Sequence, residues 1–415
     1  MADTDAKVSR LKILIYSQFC TPEPIFKSVP FARELAKRGH EVRILTGFPN
    51  YPGGKVYPGY CLRLWCRDTL GGIPILRVPL YPSHEQSTLR RVLNYLSFAA
   101  CSAGPLIVGW RPDVVYVYNL VTLGVLAAVN RFIRGVPYVL DLQDIWPDSI
   151  QHSGIGQKWM YRSVEAMCRI AYRNAARLVV LSPGFKAMLA KRGVPFDRVE
   201  LIYNWCHDEF ADSVPSKRAG PCKPVLDKER FTILFAGNFG PAQGLKSVIE
   251  AAAITQRIRP RIQWIFMGDG VESASLRNLA TRVAPRATSF LDRRPLKEAS
   301  EVLQQADVLL IHLQDRPLFE ITIPSKTQAY LAAGKPILVG ARGDTAELVL
   351  RAGAGIACEP NNPLSLATAA LGYSQIAAEE LKAMGRRGRD FYERNLSMSS
   401  GVARFEVVFE STRSK

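Results

Sequence analysis

The sequence predicts an α/β protein with two domains, each built on a parallel β-sheet. Two series of short apolar segments, separated by stretches of helical periodicity, carry this prediction. The length of 415 residues is too great for one ordinary core and favours two or three domains. A segment of prolines and mixed charges between Asp208 and Arg230 separates the two series and is the best candidate linker.

The strands of both series are apolar runs typical of buried parallel strands, because helices on both faces leave them no wet side. In the first series they are Lys12–Ser17, Glu41–Thr46, Pro74–Val78, Val114–Tyr118, Tyr138–Leu142, Leu178–Leu181 and Val199–Ile202. In the second they are Phe231–Ala236, Gln263–Met267, Thr288–Leu291, Val308–Leu313, Pro336–Gly340 and Gly355–Cys358. We place the first domain at 1–208, the linker at 209–228, the second domain at 229–392, and at 393–415 a C-terminal helix that returns to the first domain.

A lysine at the start of a short predicted helix is the most distinctive local feature. Ser325 is a favourable N-cap with Gln328 as its capping-box partner, and Gly334 supplies the stop. Lys326 then lies in the first turn, where the helix dipole disfavours a cation. A helix N-terminus with a lysine is typical of a phosphate site. A solvated surface lysine is the alternative.

Two glycine-containing turns precede helices in the second series. The first strand leads into a turn where backbone can approach a ligand and helix N–H groups can bind an anion, although a tight turn without ligand explains the glycines equally well. After the next strand, Asp269 either caps a helix, which we favour, or binds a hydroxyl. Arg293 contacts a base or phosphate, or is a solvated surface arginine. The candidate ligand-binding residues of the second series are Gly237, Asn238, Gly240, Gln243, Gly244, Gly268, Asp269, Arg293, Ser325, Lys326 and Gln328.

In the first series, carboxylates and a tryptophan follow the strand Tyr138–Leu142. Paired carboxylates at that position bind hydroxyls, orient an acceptor or take a proton; the alternative for Asp144 is a role in holding its loop. Ligands of open parallel sheets bind beyond the carboxyl ends of the strands, so we expect the site in the cleft between two facing domains. The candidate ligand-binding residues of the first series are Glu23, Asn119, Asp141, Asp144, Trp146 and Asn204.

Several functional classes find no support. The histidines are scattered and the eight cysteines include no CxxC pair, so we expect no metal site, reduced thiols and a cytosolic protein. Nucleic-acid binding rests on the net charge of +17 alone, and we expect none. The uncharged stretch from Val92 to Trp110, preceded by Arg90 and Arg91, predicts a buried helix that touches the membrane surface along one side.

Taken together, these residues resemble a GT-B glycosyltransferase of family 4, in the bacterial branch of L-fucosamine transferases and colanic-acid enzymes of surface-polysaccharide assembly. The likeness covers nearly the whole chain, in ARELAKRGHEVRILTGFPNYP, DLQDIWPDS, IYNW, FAGNFGPAQGL, GDG and IPSKTQAYLAAGKPIL. It implies two Rossmann-like domains facing across a cleft, with a nucleotide-sugar donor on the second and an acceptor on the first. It also implies retention at the anomeric carbon and no metal requirement.

The chain departs from that family at two glutamates with seven residues between them, which alignment on Gly334 and Pro336 places at Ile321 and Ala329. A shift of one residue gives Glu320 and Gln328. Asn238 and Gln243 stand where the family has a basic pair, so Lys326 becomes the main candidate to stabilise the leaving diphosphate. The expected catalytic residues are Lys326, Asp144, which orients the acceptor, and Glu320, which contacts donor-sugar hydroxyls.

The sequence therefore predicts a retaining UDP-sugar transferase, moving an N-acetylhexosamine such as FucNAc, QuiNAc or GlcNAc to a polyprenyl-diphosphate glycan in O-antigen, capsule or exopolysaccharide synthesis. We expect it to be cytoplasmic and peripheral on the inner face of the cytoplasmic membrane, with no cofactor. Two alternatives remain open, a UDP-sugar epimerase of the same fold and a non-catalytic partner subunit.

Overall fold

The computed structural model describes residues 10–25, 27–83, 88–146, 158–207 and 225–413. This part of the chain forms two α/β units, each built on its own sheet, which confirms the predicted fold class.

The boundary between the units differs from the predicted one. The first unit runs to Leu181, continues with Phe185–Ile202 and resumes at Val402; the second contains Ser182–Gly184 and Tyr203–Gly401. Of the predicted linker at 209–228, residues up to 224 lie outside the described part of the chain.

The first unit contains an eight-stranded sheet. Its strands are β1 Lys12–Tyr16, β2 Glu41–Gly47, β3 Cys66–Leu70, β4 Ile73–Val78, β5 Val114–Tyr118, β6 Tyr138–Leu142, β7 Arg177–Val180 and β8 Val199–Leu201. The helices between them are α1 Val29–Lys37, α2 Thr88–Val108, α3 Val121–Arg134, α4 Lys158–Asn174 and α5 Pro183–Lys191. The strand order is β3-β4-β2-β1-β5-β6-β7-β8. Strand β2 lies on one side of β1 and β5 lies on the other, so the order reverses between β1 and β5. In open parallel sheets, ligands bind beyond the carboxyl ends of the strands at such a reversal.

The antiparallel strand β3 was not predicted. Its sequence CRDTL has no apolar run, and it pairs with β4 through the turn at Gly71 and Gly72, whose φ angles are 58° and 82°. Glycine adopts such angles without steric cost. The first sheet is therefore mixed at this edge.

The second unit contains a six-stranded, fully parallel sheet. Its strands are β9 Phe231–Asn238, β10 Ile262–Asp269, β11 Thr288–Leu291, β12 Val308–His312, β13 Ile337–Gly340 and β14 Gly355–Cys358. The helices that follow β8 in the chain are α6 Leu245–Ile258, α7 Ser273–Val283, α8 Leu296–Gln305, α9 Pro317–Glu320, α10 Ser325–Ala333, α11 Asp344–Arg351, α12 Pro363–Tyr373, α13 Ala378–Asn395 and α14 Met398–Glu410. The order β11-β10-β9-β12-β13-β14 puts the reversal between β9 and β12.

The C-terminal segment predicted as one helix at 393–415 is two pieces. Helix α13 ends at Asn395 and α14 begins at Met398, because Ser397 Oγ accepts the N–H of Ser400 (3.2 Å) as an N-cap does. From Val402 onward α14 belongs to the first unit, where Phe405 packs on Tyr116 with ring centroids 5.4 Å apart.

Candidate active site

Two neighbouring strands of the second unit each have a glycine next to their last residue, and the two backbones are in contact there. Gly237 of β9 pairs in register with Gly268 of β10, and Asn238 pairs with Asp269. A Cβ atom on Gly268 would lie 1.9 Å from the Gly237 carbonyl oxygen, so no larger residue fits. The carboxyl ends of these strands are therefore shaped by backbone, with Gly237 and Asn238 exposed.

The turn after β9 leads directly into helix α6. Residues Pro241–Gln243 form one turn of 3-10 helix, and Gly244, with φ 58°, starts α6 without a side-chain cap. A Cβ on Gly244 would lie 2.8 Å from the Asn361 Oδ1 atom. Because no side chain caps α6, its first N–H groups suit an anion.

His312, at the end of β12, is hydrogen-bonded to this turn. Its Nδ1 lies 2.6 Å from the Gln243 carbonyl oxygen, and its Nε2 accepts the N–H of Asn361 (3.3 Å). A carbonyl only accepts, so the proton is on Nδ1 and the ring is neutral. Burial lowers the pKa of His312 to about 4, which agrees with that assignment. His312 was not among the sequence candidates, because its two partners lie in other loops and leave no local pattern.

Lys326 reaches from α10 into the same turn. Its Nζ donates to Gln243 Oε1 (2.5 Å) and lies 3.8 Å from the centroid of the Phe235 ring. It also lies 3.3 Å from where a Cβ on Gly237 would be. Desolvation lowers the pKa of Lys326 to about 7. No carboxylate among the described residues forms an ion pair with it, so this half-buried cation suits an anionic ligand.

The predicted capping box at this helix is wrong. Pro324 is the N-cap, and Ser325 is already the first helical residue and caps nothing with its side chain. Gln328 is buried, and its amide nitrogen, in the orientation that satisfies hydrogen bonding, donates to the carbonyls of Pro324 (3.0 Å) and Ser325 (3.1 Å). A capping box requires the amide to accept an N–H instead. Gln328 therefore stabilises the start of the helix and does not face a nucleotide-sugar donor.

Three further donor-site candidates lie on the surface of this unit. Asp269 does not cap α7, whose N-cap is Glu272; its carboxylate accepts the Gly270 N–H (2.8 Å) and the Ser273 hydroxyl (2.5 Å). The Ser273 bond contributes most to lowering the pKa of Asp269, and the charge of Arg293 adds a smaller effect. Glu320 is exposed at the end of α9, and no bond between described atoms joins it to Lys326.

In the first unit, two predicted acceptor ligands are instead parts of the fold. Asp141 is buried, forms an ion pair with Lys27 (2.7 Å), and accepts the Tyr116 hydroxyl (2.6 Å) and the Gln143 amide (2.6 Å). Glu23 is buried and accepts three backbone N–H groups, from Cys20, Asn50 and Tyr51. Carboxylates with this many internal donors have little capacity left for a ligand.

Asp144 and Asn119 remain candidates beyond the carboxyl ends of β6 and β5 in the first unit. Desolvation raises the pKa of Asp144 although the side chain reaches the surface, and a hydrogen bond from the Asn119 amide opposes the rise. Asn119 has a φ of 69°, and its Oδ1 has no partner among the described residues. Trp146, two residues after Asp144 in the sequence, is half-buried. Asn204 belongs to the second unit.

Within the described residues, no three or more His, Cys, Asp or Glu side chains are grouped so as to hold an ion.

Comparisons with known proteins match both halves of the chain to glycosyltransferase families. Residues 30–205 match the glycosyl transferase 4-like domain, and residues 218–391 match the glycosyl transferases group 1 family. The chain is 28% identical to the putative colanic acid biosynthesis glycosyl transferase WcaI of Escherichia coli K12, over 81% of this chain and 84% of that protein. It is 26% identical to the probable glycosyltransferase WbjE of Pseudomonas aeruginosa, over 66% and 68% of the two chains.

Solved structures show the same fold at low identity. Anabaena HepE in complex with UDP has a TM-score of 0.67 at 16% identity and covers 96% of this chain and 100% of that chain. An α,α-trehalose-phosphate synthase from Burkholderia vietnamiensis has a TM-score of 0.72 at 13% identity, with 96% and 100% covered. The chain therefore belongs to the group 1 glycosyltransferases of GT-B fold and is a sugar-transferring enzyme.

Proposed function

We propose that this enzyme is a retaining transferase that takes a sugar from a UDP-sugar and attaches it to a polyprenyl-diphosphate-linked glycan in surface-polysaccharide synthesis. The observation that carries the proposal is Lys326, a half-buried ammonium group that forms no ion pair with any carboxylate of the described residues and lies against the glycine turn of β9. The UDP bound in HepE supports the donor class, and the colanic-acid relative supports the polysaccharide. An N-acetylhexosamine such as FucNAc, QuiNAc or GlcNAc is the sugar we expect.

The leaving diphosphate gains negative charge as the bond between the anomeric carbon and the phosphate oxygen breaks. Lys326 and the uncapped N–H groups at the start of α6 are fixed before the reaction, so they stabilise that charge without reorganising. The acceptor hydroxyl attacks from the same face, its oxygen forms the new bond, and its proton passes to the leaving phosphate oxygen. This sequence needs no metal and no strong side-chain base.

Asp144 and Asn119 supply the acceptor side of the proposal. Desolvation raises the pKa of Asp144 and the Asn119 side chain opposes that rise. The Oδ1 of Asn119, which has no partner among the described residues, is one acceptor for a sugar hydroxyl. We assign Asp144 to orienting the acceptor and Glu320 to contacting donor-sugar hydroxyls.

The test compares Lys326→Met with Lys382→Met, which removes an exposed lysine paired with Glu379. A thermal-shift screen of UDP-sugars first identifies the donor. With that donor and a polyprenyl-diphosphate glycan, Lys326→Met should lower kcat by about 100- to 1,000-fold. Its unfolding temperature should not fall, because methionine fits the site without the desolvation cost of an ammonium group.

A near-normal rate in Lys326→Met would refute the leaving-group role. Formation of a new UDP-sugar in the absence of acceptor would indicate an epimerase instead. Failure of the wild-type protein to bind UDP in calorimetry would indicate a non-catalytic subunit.

A further inference from the structure

Helix α2 is anchored in the first unit along one side. The Asn94 Oδ1 accepts the Gln18 amide (2.5 Å), and the Ser102 hydroxyl lies 2.6 Å from that of Tyr16. Phe98 and Leu106 on the same side are buried. The segment Arg90–Val108 is long and apolar enough to cross a membrane by length and composition, but these bonds hold it as a part of the α/β fold.

The opposite side of α2 is exposed and carries no charge from Val92 to Val108. A helix on the surface of a soluble domain ordinarily presents charged and polar residues there. Leu96 is 49% exposed and Val108 is 83% exposed. The outward residues are Val92, Leu93, Leu96, Ala100, Cys101, Gly104 and Val108.

The end of helix α3 extends this surface. Phe132 is 91% exposed and Ile133 is 56% exposed. The Arg134 guanidinium donates to the carbonyls of Leu106 (3.0 Å) and Gly109 (3.1 Å), so the C-terminal ends of α2 and α3 are adjacent. We call the outward residues of α2 together with Val129, Phe132 and Ile133 the α2–α3 face.

Every charged residue of the two helices that form the α2–α3 face is positive. Neither α2 nor α3 contains Asp or Glu, and they carry the arginines 90, 91, 131 and 134. An apolar face with arginines at its ends complements an anionic lipid surface, where the apolar side chains enter the acyl boundary and the guanidinium groups meet phosphates. A face for a second copy of this basic chain would instead bring like charges together.

A tyrosine of α2 is within electrostatic range of the candidate acceptor residue Asp144. Burial raises the pKa of Tyr95, the charge of Arg91 opposes the rise, and the charge of Asp144 adds to it.

We propose that the α2–α3 face binds an anionic phospholipid surface, with α2 lying in the plane of the interface on the inner side of the cytoplasmic membrane. The choice of this surface rests on the proposed function, because a lipid-linked acceptor is confined to the membrane. The binding itself needs neither donor nor acceptor.

The experiment measures co-sedimentation of the full chain with vesicles of phosphatidylglycerol in phosphatidylcholine. Three variants are compared with the wild-type protein: the double variant Leu96→Glu with Phe132→Glu, the pair Arg90→Gln with Arg91→Gln, and the control Leu364→Glu. Leu364 is an exposed leucine of the second unit (65% exposed), so its variant makes the same chemical change away from the face. Thermal unfolding and calorimetric UDP binding report whether each variant is folded.

The double glutamate variant should lower the partition coefficient at least about tenfold, and the control should leave it unchanged. The arginine pair should weaken binding to the anionic vesicles and not to pure phosphatidylcholine. Vesicle binding by a folded double variant equal to that of the wild-type protein would overturn the proposal. A second outcome would also overturn the proposal: the wild-type protein is a dimer, the double variant is a monomer, and neither binds vesicles. That outcome would assign the face to self-association. A protein that binds vesicles through this face but transfers no sugar would refute the proposed function alone.

Discussion

Replacement of His312 tests whether a neutral buried histidine holds the turn in front of α6. We compare His312→Asn, whose amide can still donate to the Gln243 carbonyl, with His312→Phe, which can form neither bond. Phenylalanine leaves the Gln243 carbonyl and the Asn361 N–H without their partner. Each such loss in a buried position costs about 1–3 kcal/mol, so His312→Phe should destabilise the protein by about 2–6 kcal/mol at neutral pH.

The pH dependence follows from the folded-state pKa of about 4 against the ordinary value of 6.5. Between these values the unfolded chain binds a proton that the folded protein excludes, so the stabilisation is present above pH 6.5 and is lost as pH falls. The full shift corresponds to about 3 kcal/mol, and about 2 kcal/mol of it is lost between about pH 8 and about pH 5. His312→Asn does not titrate in that range.

Urea unfolding of the wild-type protein and both variants, at about pH 8 and about pH 5, provides the measurement. The stability advantage of wild type over His312→Asn should shrink by about 2 kcal/mol at the lower pH. An advantage that is the same at both pH values would refute the reasoning, since it would mean that the ring is not held neutral. UDP affinity measured at about pH 8 should fall in His312→Phe and fall less in His312→Asn.

Three further predictions concern other residues. UDP affinity should decrease as pH rises above about 7 in the wild-type protein and not in Lys326→Met, because the ammonium form of Lys326 binds the diphosphate; parallel calorimetric profiles would contradict this. Gly244→Ala should weaken UDP binding about tenfold, because alanine is strained at that φ and its Cβ would lie close to Asn361. The control Gly135→Ala, at a φ of 70° with open space around it, should leave UDP affinity unchanged. Equal UDP affinities of Gly244→Ala and the wild-type protein would exclude the role of the Asn361 contact. Lys27→Met should destabilise the protein by about 3–5 kcal/mol by leaving Asp141 buried without its cation, and adding Asp141→Asn should restore part of the loss; denaturant curves that show no recovery would contradict the charge argument.

The sequence predicted the parallel strands closely because they are buried on both faces. Val114–Tyr118 and Tyr138–Leu142 were placed to the residue. Strand β3 escaped prediction because its side chains alternate between partial burial and exposure at a sheet edge, where a charged sequence is stable. Its signal was the Gly71–Gly72 turn, which was available in the sequence.

The candidate site was only partly predictable. Lys326 and the β9 turn were found because glycines and a helix start constrain local geometry, and the structure joins them through Gln243. Asp141 was assigned to the acceptor because its partner Lys27 is 114 residues away, and such a pairing has no local signature. His312 was missed for the same reason, since both its partners come from other loops.

The membership of the last helix in the first unit has a practical consequence for dissecting this enzyme. Phe405 packs on Phe31 with ring centroids 5.1 Å apart, and Glu406 pairs with Arg38 (2.8 Å) and His40 (3.0 Å). A fragment cut at the linker would lack these residues and expose the apolar surface that they cover. Autonomous expression of the first unit therefore calls for a chimaera in which residues 402–413 are grafted back through a designed connection after Ile202, rather than for a simple truncation.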